Sequence, residues 1–162
     1  MAKRSDIINY IVDQLKLING TTDTRVGSYT FHHNVHNKVF SEFKFMDEIN
    51  ERPFITFVDT SENRIHLGAG EKLGQINLGI RAYVNNYKYT LALDAADDII
   101  EDIEHILNLI SKNKNEIPNA PCLYDIQELR VNTVGTDEGL FEPDGIAEIT
   151  ATITYILDSN LS

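Results

Sequence analysis

Between residues 73 and 84 the apolar side chains alternate almost without a break, and this stretch constrains the fold more than any other. Ile76, Leu78, Ile80, Ala82 and Val84 fall on one side of an extended chain, with Gln75, Asn77, Gly79, Arg81 and Tyr83 on the other. Side chains of a strand point alternately to its two faces, so the segment reads as a strand with one buried and one wet or partner-facing side. A sheet with an apolar face needs a cover. Residues 90–111 supply it, because Leu93, Ala96, Ile99, Ile100, Ile103, Ile106, Leu107 and Ile110 form a broad stripe at helical spacing. Six acids (Asp94, Asp97, Asp98, Glu101, Asp102 and Glu104) crowd the first half of that helix, and Lys112 and Lys114 follow its end. This order suits the helix dipole. Like charges one turn apart, as in Asp94 with Asp98, oppose the helix by roughly a few tenths of a kcal/mol per pair. The expectation for these acids is a solvated face.

The rest of the chain is read against this pair. Ile8, Ile11, Val12, Leu15 and Ile18 predict an amphipathic helix over residues 5–18, with Ser5 as N-cap and Gly20 at its end. Residues 26–31 and 38–45 read as strands, the second with aromatic residues on both faces, and residues 46–51 as a turn ended by Pro53. Residues 54–58 form a short apolar strand. Residues 59–74 are polar, carry Gly68, Gly70 and Gly74, and are far longer than a hairpin needs, so a long functional loop is expected. Residues 115–121 form a connector, and strands at 126–134 and 146–157 flank an acidic loop at 135–145. The order helix, strands, helix, strands gives an α+β class: a two-layer sandwich, mostly antiparallel sheet, with two helices packed on one face. At 162 residues the chain reads as one domain, 1–162. The sheet edges and wet face left over suit a controlled oligomer.

Charge and cysteine usage narrow the partners. Twenty-five acids against 14 bases give a net charge of -11, which repels a phosphate backbone and argues against general nucleic-acid binding. The single cysteine, Cys122, and the absence of a signal-like start or an apolar run of membrane length fit a soluble protein of a reducing compartment.

Chemistry-bearing motifs are sparse. His32, His33 and His36 are the most metal-like cluster, but they lack further ligands in sequence, and the reading is exposed loop histidines with no metal. Gly68-Ala69-Gly70-Glu71-Lys72 is not a phosphate loop, since Glu71 stands after Gly70 and a strand follows. Residues 135–145 lack the register of a calcium loop, and no Gly-x-Ser-x-Gly elbow is present. Cys122 has no base beside it in sequence. These readings point to a binding protein without cofactor, not an enzyme. A small metal-dependent enzyme using the three histidines and the loop acids is the reading of a different class.

The ordered combination resembles the tail terminator (tail completion) proteins of long-tailed bacteriophages, of the lambda minor-tail-protein-U kind. It is carried by the N-terminal helix and loose strands, then Glu51-Arg52-Pro53-Phe54-Ile55-Thr56-Phe57-Val58 and the polar loop. Gly74-Gln75-Ile76-Asn77-Leu78-Gly79-Ile80-Arg81-Ala82-Tyr83-Val84, the acidic helix and Gly145-Ile146-Ala147-Glu148-Ile149-Thr150-Ala151-Thr152-Ile153-Thr154-Tyr155 complete it. The resemblance implies a structural virion protein, assembled in the host cytoplasm, that caps the tail tube and stops its polymerisation. It implies a homo-oligomer, a hexameric ring at the head-proximal end, touching tail tube protein and a head completion or connector protein. DNA would pass through the lumen without specific binding, and no membrane is involved. On this reading Arg64, His66, Glu71, Lys72 and Arg81 would serve an inter-subunit or lumen surface. Asp137, Glu138, Glu142 and Asp144 would meet a basic surface on the tube or the connector. Another neck, head-closure or baseplate component is the nearest alternative.

Overall fold

In chain order the elements are α1 (Arg4–Leu15), β1 (Thr22–Asp23), β2 (Tyr29–Thr30), β3 (Val39–Phe40), β4 (Phe54–Asp59) and β5 (Glu62–His66), then β6 (Lys72–Asn85), α2 (Ala92–Lys112), β7 (Ile126–Thr136) and β8 (Asp144–Ile156). The computed structural model describes residues 4–25, 27–70, 72–112 and 126–157. The connector expected at 115–121, Cys122 and Lys114 lie outside them. The main sheet runs β3-β4-β6-β8-β7, and β5 pairs with β6. Among the described residues only the β3–β4 pair is parallel, so the class is α+β with a mixed, mostly antiparallel sheet. β1 and β2 make a separate two-stranded ribbon.

β6 organises the sheet. It pairs with β8 from Leu73↔Ile156 to Asn85↔Asp144. Its other edge carries β4 and then β5, with Phe54 opposite Tyr83 at one end and His66 opposite Lys72 at the other. The expected alternation holds on the core side, where Ile76, Leu78, Ile80, Ala82 and Val84 are all buried. The matching residues of β8 (Ala147, Ile149, Ala151, Ile153 and Tyr155) are buried beside them. Both helices share that core: Ile7, Ile11 and Leu15 of α1 and Ile99, Ile103 and Ile106 of α2 belong to the same cluster. Each such isoleucine, at most 1% exposed, contributes about 1.5–3 kcal/mol relative to an exposed position.

Several expectations are corrected. Residues 59–74 are not a long loop. Glu62–His66 pairs along the edge of β6 as β5, residues 72–74 already belong to β6, and the reversal between them includes a 3-10 turn at Gly68–Gly70. The polar character that suggested a loop reflects an outer strand that is mostly exposed. A bulge at Val58 joins β4 to this extension by shifting the register between Phe57 and Asp59. Gly79 makes the bulge possible, since a Cβ there would stand 3.0 Å from Val58 Cγ2 and 3.1 Å from Asp59 Cβ.

Among the described residues the strands expected at 26–31 and 38–45 shrink to two residues each, and Val26 lies outside those residues. Side chains replace the missing ladder. Thr56, fully buried, donates its hydroxyl to the Glu42 carbonyl at 2.7 Å and accepts the Lys44 N–H at 2.9 Å. α1 includes Arg4, so Ser5 sits inside the helix and not at its N-cap, and the helix ends at Leu15, before Ile18. Tyr83, expected on the wet face, is 3% exposed because its ring stacks on Phe54 with centroids 4.7 Å apart.

Candidate interaction surfaces

The residues singled out in the sequence fall at two ends of β6 and on its reverse face. Thirteen residues from one end of the β6–β8 ladder to the other make a span of about 40 Å at 3.3–3.4 Å per residue.

One end is the β5–β6 hairpin. Arg64 pairs with Glu62, whose carboxylate also accepts the Tyr155 hydroxyl at 2.8 Å. His66 is exposed at the end of β5 opposite Lys72, which opens β6. Glu71 lies outside the described residues. Ile65, Leu73 and Ile156 stand side by side in the register across the reverse face, and Ile65 and the neighbouring Leu67 are exposed. This end therefore mixes apolar side chains with charge.

Arg81 is on the reverse face but not unpartnered. Its guanidinium donates to Glu148 Oε1 from Nε at 2.7 Å, and the two residues are register partners of β6 and β8. It also lies over the Phe43 ring, 5.9 Å from the centroid. Phe43 packs edge-on against Phe45, and both are exposed. The exposed surface around Arg81 is thus aromatic.

At the other end, the four acids of the 135–145 loop have different fates. Asp137 shapes the turn, accepting Phe141 N–H at 3.0 Å and Ile146 N–H at 3.2 Å. Glu142 accepts the N–H of Ala92 at 2.7 Å, capping α2 from outside the helix. Asp144 faces Arg52 at 3.7 Å. Glu138, exposed, is the one of the four with no carboxylate contact among the described residues. What this end presents most openly is apolar: Leu140 is 79% and Tyr87 73% exposed, with Leu91 and Phe141 about half exposed. The Glu142–Ala92 contact and the Asn86 N–H to Pro143 carbonyl bond at 3.0 Å hold the loop against the start of α2. The sequence reading missed Leu140 and Phe141; two large apolar residues inside an acidic turn are the signal that was there.

The histidines diverge. His33 Nε2 lies 2.9 Å from the Ala95 carbonyl, and its ring stacks on Tyr89. Burial pushes its pKa below the ordinary imidazole value, against the pull of the Ala95 carbonyl and the nearby acids. His36 is exposed in a left-handed conformation, φ 49°. His32 faces Asp98 and Glu101 of α2. Asp102, expected on a solvated face, is fully buried. Its carboxylate accepts the Tyr29 hydroxyl at 2.8 Å and the N–H groups of His32 at 3.0 Å and His33 at 2.9 Å. Burial raises its pKa, and these three donors oppose the rise.

Nearby, Asp23 accepts from Arg25 and lies 2.9 Å from His105 Nε2. Burial alone would raise its pKa, but the bonds from Arg25 and His105 outweigh it and hold the carboxyl well below the ordinary 3.8. A carboxyl depressed in the folded state stabilises above its unfolded pKa, and that stabilisation is lost as pH falls. Comparing melting temperatures of wild type and Asp23→Asn across pH should therefore show a gap that is full above about pH 5 and narrows steadily below about pH 4.

The sheet thus exposes separate groups of large apolar side chains at both ends and on its back. The chain belongs to the bacteriophage tail tube terminator proteins, whose family model matches residues 1–161. It is similar to the tail tube terminator protein p142 of Escherichia phage T5, 24% identical over 161 residues that cover 96% of this chain and 94% of that protein. It is a structural component of a phage tail. Among the described residues no helix is long and apolar enough to cross a membrane.

Proposed function

We propose that this terminator caps the tail tube as a ring of identical subunits, six by the resemblance to the lambda protein, at the head-proximal end of the tail. The observation that carries the reading is the pair of unlike apolar ends about 40 Å apart on one sheet. A subunit that touches its own neighbours and also a tube and a connector needs several unlike patches, and a heterologous contact closes into a ring when its rotation closes. In this arrangement the helices form one layer over the core face of the sheet. The hairpin end, with Arg64, Ile65, His66, Leu67 and Lys72, reaches the aromatic surface around Arg81 of the next subunit. The end bearing Leu140, Phe141 and Glu138 meets the tube or the head connector. The ring assembles in the host cytoplasm, and its net negative charge leaves DNA ungripped in the lumen.

Light scattering on the purified protein, alone and with tail tube protein, tests this. Six chains of 18.4 kDa give about 110 kDa. Leu67→Asp should lower that mass toward a single chain. Leu140→Asp should leave the mass unchanged but abolish capping of tube growth. A wild-type monomer indifferent to tube protein would sink the proposal.

A further inference from the structure

The structure assigns a divalent transition-metal site, of the zinc class, to His32, Asp98 and Glu101. One donor atom from each of these three residues lies within 4.8 Å of the others. The imidazole comes from the loop before β3, while the carboxylates sit three residues apart on one face of α2. His32 Nε2 is 3.4 Å from Glu101 Oε2, and Nδ1 is 3.9 Å from Asp98 Oδ2. Neither contact has hydrogen-bond geometry. The closer one matches instead the about 3.3–3.4 Å that separates two ligands of a tetrahedral ion bound at 2.0–2.1 Å.

The donors are held from behind, as metal ligands usually are. Tyr89 donates its hydroxyl to Asp98 Oδ2 at 2.8 Å, and the backbone N–H of His32 is fixed on buried Asp102. One imidazole with two carboxylates suits zinc better than magnesium or calcium, which take oxygen donors. All three side chains remain partly open to solvent, so an ion can enter and keep water in its remaining position. Bound there, the ion would tie the loop at 31–36 to α2. This assignment is independent of the ring proposed above.

Zinc chloride titrated calorimetrically into chelator-treated protein should show one ion per chain and a raised melting temperature. His32→Ala should weaken binding by about tenfold or more, Glu101→Gln should do likewise, and Tyr89→Phe should weaken it less. His32 and Glu101 are exposed, so their variants should fold, and metal-free melting curves check that they do. Zinc binding that is undetectable, or as tight in His32→Ala as in wild type, overturns the assignment. So does magnesium binding as tightly as zinc.

Discussion

Replacing Gly74 by alanine should destabilise the protein by about 3 kcal/mol, at the upper end of overpacking changes in a filled core. Gly74 is the register partner of Tyr155 on the core face of the β6–β8 ladder. A Cβ at Gly74 would stand 2.3 Å from Tyr155 Cε1 and 2.6 Å from Cζ. No real contact is that short, so the ring or a strand must move. The ring has nowhere to go: it is fully buried, and its hydroxyl is fixed on Glu62 at 2.8 Å. For a chain of this length the melting temperature should fall by roughly 6–12 °C. Gly135→Ala is the control, since nothing lies within 4 Å of its added Cβ, and it should change stability by less than about 0.5 kcal/mol. Combining Gly74→Ala with Tyr155→Leu should cost less than the two single changes summed, because the smaller side chain relieves the clash. Additive effects would show that the collision with Tyr155 is not the cause.

The second large effect is expected at Asp102. Alanine there removes the acceptor of one hydroxyl and two backbone N–H groups at once. Each buried donor left without a partner costs about 1–3 kcal/mol, so a loss of about 3–5 kcal/mol is expected, with water repairing part of the damage. Asn keeps one carbonyl oxygen in place and should lose less. The location of the damage is the sharper test. Hydrogen exchange should rise first in residues 29–35, which Asp102 binds to α2, while β6 and β8 stay protected. Uniform loss of protection across the sheet would mean that Asp102 supports the whole fold and not this loop.

The two cases separate what the sequence made legible from what it hid. The strand at 72–85 and the helix at 92–112 were found to within two residues at each end. Their faces are set by period, and period survives any tertiary context that buries one side. β8 was read the same way, and the start of β7 was placed at residue 126. The segment from 19 to 51 was not, because its backbone is held by particular side chains far away in sequence: Asp102 on residues 32 and 33, and Thr56 on residues 42 and 44. A polar residue that binds backbone across 70 positions leaves no periodic trace. Asp102 even looked like part of a charged face, since its five acidic neighbours on the helix are mostly exposed. At the proposed interaction surfaces the chemistry that is exposed was not legible. The acidic loop was located, yet Asp137, Glu142 and Asp144 are turned to partners inside the chain, and Leu140 and Phe141 face out. The His32 cluster joins a loop to a helix 66 residues later, and no spacing rule could have linked them.

The paired length of β6 also fixes how the subunit answers to being pulled. A load applied between the hairpin turn and the Leu140 end runs along the strands, across hydrogen bonds that lie perpendicular to it. Every rung from Leu73↔Ile156 to Asn85↔Asp144 is then sheared together, with β4 and β5 bracing the opposite edge. Nothing can be peeled one rung at a time. The subunit behaves as a tie rod along that axis and yields more readily in the direction that peels β7 from the edge of the sheet.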